Sequence, residues 1–212
     1  MSRQNRVTPF AEIVATSERG TLMGNRGVLH DETGRIRRPW QVRRWILCAL
    51  EFKGRHRAIM TPNRYTELFF FDEATGLAAG HRPCCECRRA RLLAFRDALA
   101  AGDRRGRKGD LITAATIDDR LHAERVTPHL SKRTFRANLD ELPDGVLVTL
   151  DGARGHPHLI LGDDLFAWSP GGYTGRQQRP RGIEVSVLTP RSTVAAIRAG
   201  YEPEIHASAE DS

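Results

Sequence analysis

The chain has 212 residues, 40% of them hydrophobic and 28% charged, enough to bury a full core as one domain or as two small ones sharing an interface. No apolar run approaches the ~20 residues of a membrane span, and the N-terminal MSRQNRVTPFAE lacks the apolar core of a secretory signal, so a cytoplasmic protein is expected. A formal charge of +7 and a pI near 9.8 predict affinity for polyanions, nucleic acid first, although all but three of the 33 basic residues are arginine, a skew that GC-rich coding produces unaided.

Phe10 to Ala15 reads as a short strand, and glycines at 20, 24 and 27 then punctuate the chain as turns. Gly24 and Gly27 lack the Lys-Ser/Thr that a phosphate loop requires. From Trp40 to Phe52, the alternation of Ile46, Cys48, Leu50 and Phe52 predicts a buried strand, and its phase puts Cys48 among core side chains. A second strand is expected over Tyr65 to Phe71. Asp72 is placed to cap a short helix, EATGLAA, which Gly80 ends. Leu92, Phe95 and Leu99 recur at helical intervals and predict a helix from Arg88 to Ala101, with Arg88, Arg89, Arg91 and Arg96 toward solvent.

The basic run DRRGRKGD at 103–110 is the expected boundary between parts 1–110 and 111–212. Helices are expected near Thr113 to Arg125 and from Ser131 to Leu139. The last third alternates VLVTLD, HLILG, LFAW and IEVSVL with Asp-Gly, Gly-Asp and Gly-Gly turns, as in a small antiparallel sheet or partial barrel. Residues 170–182 read as a glycine-rich basic loop. A closing helix has Thr189 as cap and Pro190 in its first turn. The fold class expected is α+β: a zinc-stabilised strand–helix–C-x-x-C half, a helical middle and a mostly antiparallel C-terminal part.

Three of the four cysteines lie in Pro83-Cys84-Cys85-Glu86-Cys87. Cys84 and Cys87 have the C-x-x-C spacing that places two thiolates on one metal ion. Clustering of this kind does not match a dispersed disulfide framework. The stretch Asp72 to Cys87 resembles the second half of the zinc-binding domain of Ada-type DNA methylphosphotriester repair proteins, matching at Ala78, Ala79, Gly80, Arg82, Pro83, Cys84 and Cys87. His81 stands where that family has an aromatic residue. The resemblance implies Zn2+ on Cys84 and Cys87 and an association with DNA repair. The family's upstream C-x-x-x-C pair, which includes its methyl acceptor, has no counterpart, so methyl-acceptor chemistry does not carry over.

A tetrahedral zinc needs about four ligands. His56, in the polar GRHR turn, is the upstream candidate and His122 the downstream one, while Cys48 reads as a core thiol. His122-Ala123-Glu124 together with P-C-x-x-C also supplies the parts of a zinc deaminase, with Glu124 as proton shuttle, but in reversed order. The nucleic-acid contacts expected, DNA ahead of RNA, are Arg88, Arg89 and Arg91 beside the cysteines and Tyr173, Arg176, Arg179 and Arg181 on the 170–182 loop. Three classes of function compete: a zinc-stapled nucleic-acid-binding module, a deaminase-like hydrolase and a metal-free interaction protein.

Overall fold

A short helix, α1 (Glu73–Ala78), touches both of the six-stranded sheets on which the molecule is built. The computed structural model describes residues 2–55, 58–102, 112–152 and 154–210. The first sheet is mixed. The hairpin β1 (Gln4–Val7) and β2 (Ile13–Ala15) joins it through β5 (Leu68–Phe70), which runs parallel to β1. β3 (Leu22–Asn25) lies antiparallel between β5 and β4 (Ile46–Ala49), and β6 (Arg82–Pro83) closes the sheet parallel to β4. The second sheet is wholly antiparallel, in the order Gly172–Gln178 (β11), Asp164–Ser169 (β10), Pro157–Leu161 (β9), Leu147–Thr149 (β8), Glu184–Val187 (β12) and Phe135–Asn138 (β7).

The sequence around α1 dictates its place. Asp72 Oδ1 accepts from Thr75 N at 2.8 Å as the N-cap, and Gly80 adopts φ +93° just beyond the helix. All six helical residues are buried, which their small side chains permit: a Cβ on Gly76 would stand 2.5 Å from Leu47 Cδ2 on β4. Ala74 and Ala78 pack instead with Leu147, Leu159 and Trp168 of the second sheet. The buried Asp72 also accepts from Tyr173 Oη at 2.8 Å and His206 N at 3.2 Å; burial still raises its pKa against those bonds. Glu73, wholly buried, accepts from Arg88 at 2.8 Å, Arg91 at 2.5 Å and Tyr201 Oη at 2.6 Å, tying the C-terminal segment to α1.

The longer helices, α2 (Arg89–Gly102), α3 (Ala114–Arg125) and α4 (Arg191–Arg198), pack together, with α4 against both others. Gly102 allows the closest approach, since a Cβ there would lie 2.7 Å from Ala195 O. One buried cluster runs from Val7 through Leu121 and Val148 to Tyr201, so both sheets and all three helices share a core. No helix among the described residues is long and apolar enough to cross a membrane.

Three expectations are corrected. Ser131 to Leu139 is not a helix: Phe135–Asn138 is an edge strand paired with Glu184–Val187. Residues 170–182 are mostly strand β11, not a loop. Thr189 does not cap α4; its Oγ1 accepts from Leu147 N at 3.1 Å, while Glu124 accepts from Ser192 N at 2.8 Å and Ser192 Oγ at 2.7 Å, capping α4 from α3. The 103–110 boundary lies within residues outside those described.

Candidate metal centre

The parallel register of β4 and β6 pairs Ile46 with Arg82 and Leu47 with Pro83. Carried one residue further it sets Cys48 beside Cys84, and Cys84 N donates to Leu47 O at 2.8 Å. The chain then turns through Cys85 and Glu86, so that Cys87 comes back over the end of β4. The sulfurs of Cys48, Cys84 and Cys87 all lie within 4.8 Å of one another. The third sulfur is therefore Cys48, the residue that its strand phase assigned to the core. Cys85 is exposed, and its sulfur accepts from Arg82 Nη1 at 3.4 Å.

Metal–sulfur bonds of ~2.3 Å at tetrahedral angles set sulfurs roughly 3.8 Å apart, so sulfurs within 4.8 Å of one another are close enough to share one metal ion. Its electrostatics prepare it for a cation. Cys84 is drawn down to about 5, first by the hydrogen bond from the Cys48 thiol and then by the backbone N–H groups of Glu86 and Cys87. The same bond, with burial, pushes the Cys48 thiol far up, and burial raises Cys87. Cys84 is thus the thiol most readily ionised, its neighbours Cys48 and Cys87 being shifted the other way, and a divalent cation held by all three would displace their protons. Among the described residues no fourth Cys, His, Asp or Glu joins this group.

Two ion pairs brace the turn from outside. Arg55 meets Glu86 at 2.6 Å, holding the 53–55 turn against it. Arg82, 1% exposed, makes a two-pronged bond to Asp118 of α3, Nε to Oδ1 at 2.9 Å and Nη2 to Oδ2 at 2.8 Å, and also donates to Pro83 O at 2.9 Å.

No protein-family profile, curated protein or solved structure matches this chain.

The other sequence-predicted residues are dispersed. His56 lies outside the described residues. His122 is not gathered with the cysteines; its ring stands edge-on to Trp40, with centroids 4.7 Å apart. Both Glu124 oxygens are taken by Ser192. Arg88 and Arg91 do not project to solvent as expected, being engaged with Glu73 and Glu204. Arg89 is exposed. Tyr173 is buried at 3% exposure against Asp72, and Arg179 is buried with its guanidinium on the carbonyls of Leu139 and Leu142. Arg176 and Arg181 remain exposed but pair with Asp164 at 2.6 Å and Asp163 at 2.5 Å.

Proposed function

We propose that this chain is a zinc-binding protein in which Cys48, Cys84 and Cys87 hold the metal, and that its partner is nucleic acid, DNA ahead of RNA. The convergence of three sulfurs, from β4, from the residue that follows β6 and from the turn beyond it, carries the metal reading. The resemblance of Asp72 to Cys87 to Ada-type zinc domains supports it, and the net charge of +7 supports the partner. Three thiolates on a divalent ion leave it electron-rich and a weak Lewis acid, which favours a structural staple over hydrolytic chemistry. The deaminase-like alternative is not adopted, because Glu124 spends both oxygens on capping α4 and His122 sits against Trp40.

Zinc titration of Cys48→Ala and Cys85→Ala tests the ligand set. Cys85→Ala keeps one tight equivalent, whereas Cys48→Ala loses affinity by at least tenfold; the reverse pattern refutes it. Electrophoretic shift of duplex and single-stranded DNA between about 50 and 200 mM salt tests the partner, which requires binding that weakens steeply with salt.

A further inference from the structure

Between the β1–β2 hairpin, the 26–45 segment and the chain that follows α3 lies a cavity of about 910 Å³. Its polar lining is dominated by cations. Arg26, Arg125 and Lys132 sit in one wall, and Arg38 and Arg154 stand at the exposed rim without an ion pair among the described residues; the acid in the lining is the exposed Glu12. Arg26 and Arg125 are completely buried, and both guanidiniums lie 4.1 Å from the Trp45 ring.

The inner cations are held by neutral groups. Arg26 donates to Ala11 O at 3.0 Å, Pro39 O at 3.3 Å and His81 Nε2 at 3.2 Å. Arg125 donates to Gly80 O at 2.7 Å and to Arg43 O, and Lys132 to Ala78 O. Gly80 makes room for this, since a Cβ there would meet Arg125 Cδ at 2.6 Å. Among the described residues Arg26 Nη2, Arg125 Nε and Trp40 Nε1 are buried with no acceptor. Among the described residues, the carboxylate that acts on Arg125, Asp118, is already bonded to Arg82. Like charges buried together without counter-charge are costly, and apolar residues of the same size would fold more stably. Such an arrangement is explained when an anion completes it.

The lining also carries the apolar and aromatic side chains of Phe10, Trp40 and Leu130, and a cavity of this volume exceeds what one inorganic anion fills. We propose that this cavity binds a nucleoside phosphate, its phosphate on Lys132, Arg38 and Arg154 in the field of buried Arg26 and Arg125, and its base against Phe10 and Trp40. Cations and aromatic rings lining one cavity are the chemistry that recognises nucleotides, in which a charged group and a flat ring are bound together. The inference goes beyond the nucleic-acid half of the function proposed above and depends neither on that half nor on the metal. The ligand has two sources, a free mononucleotide or the terminal nucleotide of a strand.

Calorimetric titration of the full zinc-loaded chain with AMP, GMP, adenosine, ribose 5-phosphate and inorganic phosphate tests it, alongside oligonucleotides with and without a 5′-phosphate. The expected result is at least tenfold tighter binding of a nucleoside monophosphate than of adenosine, ribose 5-phosphate or inorganic phosphate. Lys132→Met and Arg38→Ser each weaken it several-fold or more, Trp40→Phe reduces the ligand-induced change in tryptophan fluorescence, and zinc content is unchanged. Because Arg38 is exposed, its variant remains informative if Lys132→Met fails to fold. Ribose 5-phosphate binding as tightly as AMP, or no phosphate compound binding the wild type, overturns the proposal. A 5′-phosphorylated strand binding at least as well as AMP assigns the site to strand ends. Mononucleotide binding without strand binding leaves the site standing and removes the nucleic-acid partner.

Discussion

Replacing Asp118 with alanine should be the most damaging single change on α3 that touches no cysteine. The guanidinium of Arg82 would keep its place, 1% exposed, with Nε and Nη2 stripped of both acceptors. Removing one partner of a buried ion pair costs about 3–5 kcal/mol. The Asp118 side chain retains 10% exposure, through which water can partly replace it, so the lower end, about 3 kcal/mol, is expected. At roughly 2–4 °C per kcal/mol for a chain of this size, the melting temperature should fall by about 6–12 °C. Calorimetry of the zinc-loaded protein reads the loss. Pairing Arg82→Met with Asp118→Leu should recover most of it, because no uncompensated charge is then left inside. A fall of less than ~2 °C for Asp118→Ala, or a double variant as unstable as the sum of its parts, would refute the claim that this pair fastens α3 to the cysteine turn.

Tyr173→Phe removes the hydroxyl that donates to Asp72 and should cost about 1–3 kcal/mol while leaving nucleotide affinity unchanged; a selective loss of binding without loss of stability would mean that Tyr173 serves a ligand. The Lys132 ammonium is pushed down to about 7 by burial first and then by Arg26 and Arg125, against ~10.4 in an unfolded chain. Between those values the unfolded state binds more protons, so Lys132 makes stability rise with pH from about 7 upward, and Lys132→Met should flatten that rise in denaturant midpoints. Burial pushes Arg26 and Arg125 the same way, so the difference between wild type and variant, not the raw slope, is the quantity to compare. An unchanged slope contradicts the placement of the half-buried Lys132 among cations.

Local chemistry made part of this molecule legible before its structure. The α1 cap, its terminating Gly80 and the hairpin strands Pro157–Leu161 and Asp164–Ser169 follow from residues adjacent in sequence, where turn and capping preferences act directly. Non-local pairing hid the rest. Cys48 alternates with apolar neighbours like any core thiol, and only the parallel alignment of β4 with β6, from a distant part of the chain, makes it a ligand candidate. The signal in the sequence that links them is slight, a cysteine inside the short apolar strand ILCA and another directly after Arg82–Pro83. Phe135–Asn138 carries a helix-compatible sequence and becomes a strand through β12. β11 escaped notice because its outer residues are Arg, Gln and Gly, suited to an exposed edge, with burial confined to Gly172 and Tyr173. The arginines beside the cysteines looked solvent-facing by helical phase, and Glu73, buried beneath them, reclaims Arg88 and Arg91.

The central claim is that three sulfurs, one of them from β4, share one metal ion. X-ray absorption at the zinc edge of protein purified without chelator, with metal content measured on the same sample, tests it most directly. About one zinc per chain with three sulfur scatterers near 2.3 Å and one lighter neighbour is the predicted result, falling to two sulfurs or to loss of metal in Cys48→Ala. Fewer than about 0.2 zinc per chain, or a wild-type shell of only two sulfurs that Cys48→Ala leaves unchanged, would contradict it.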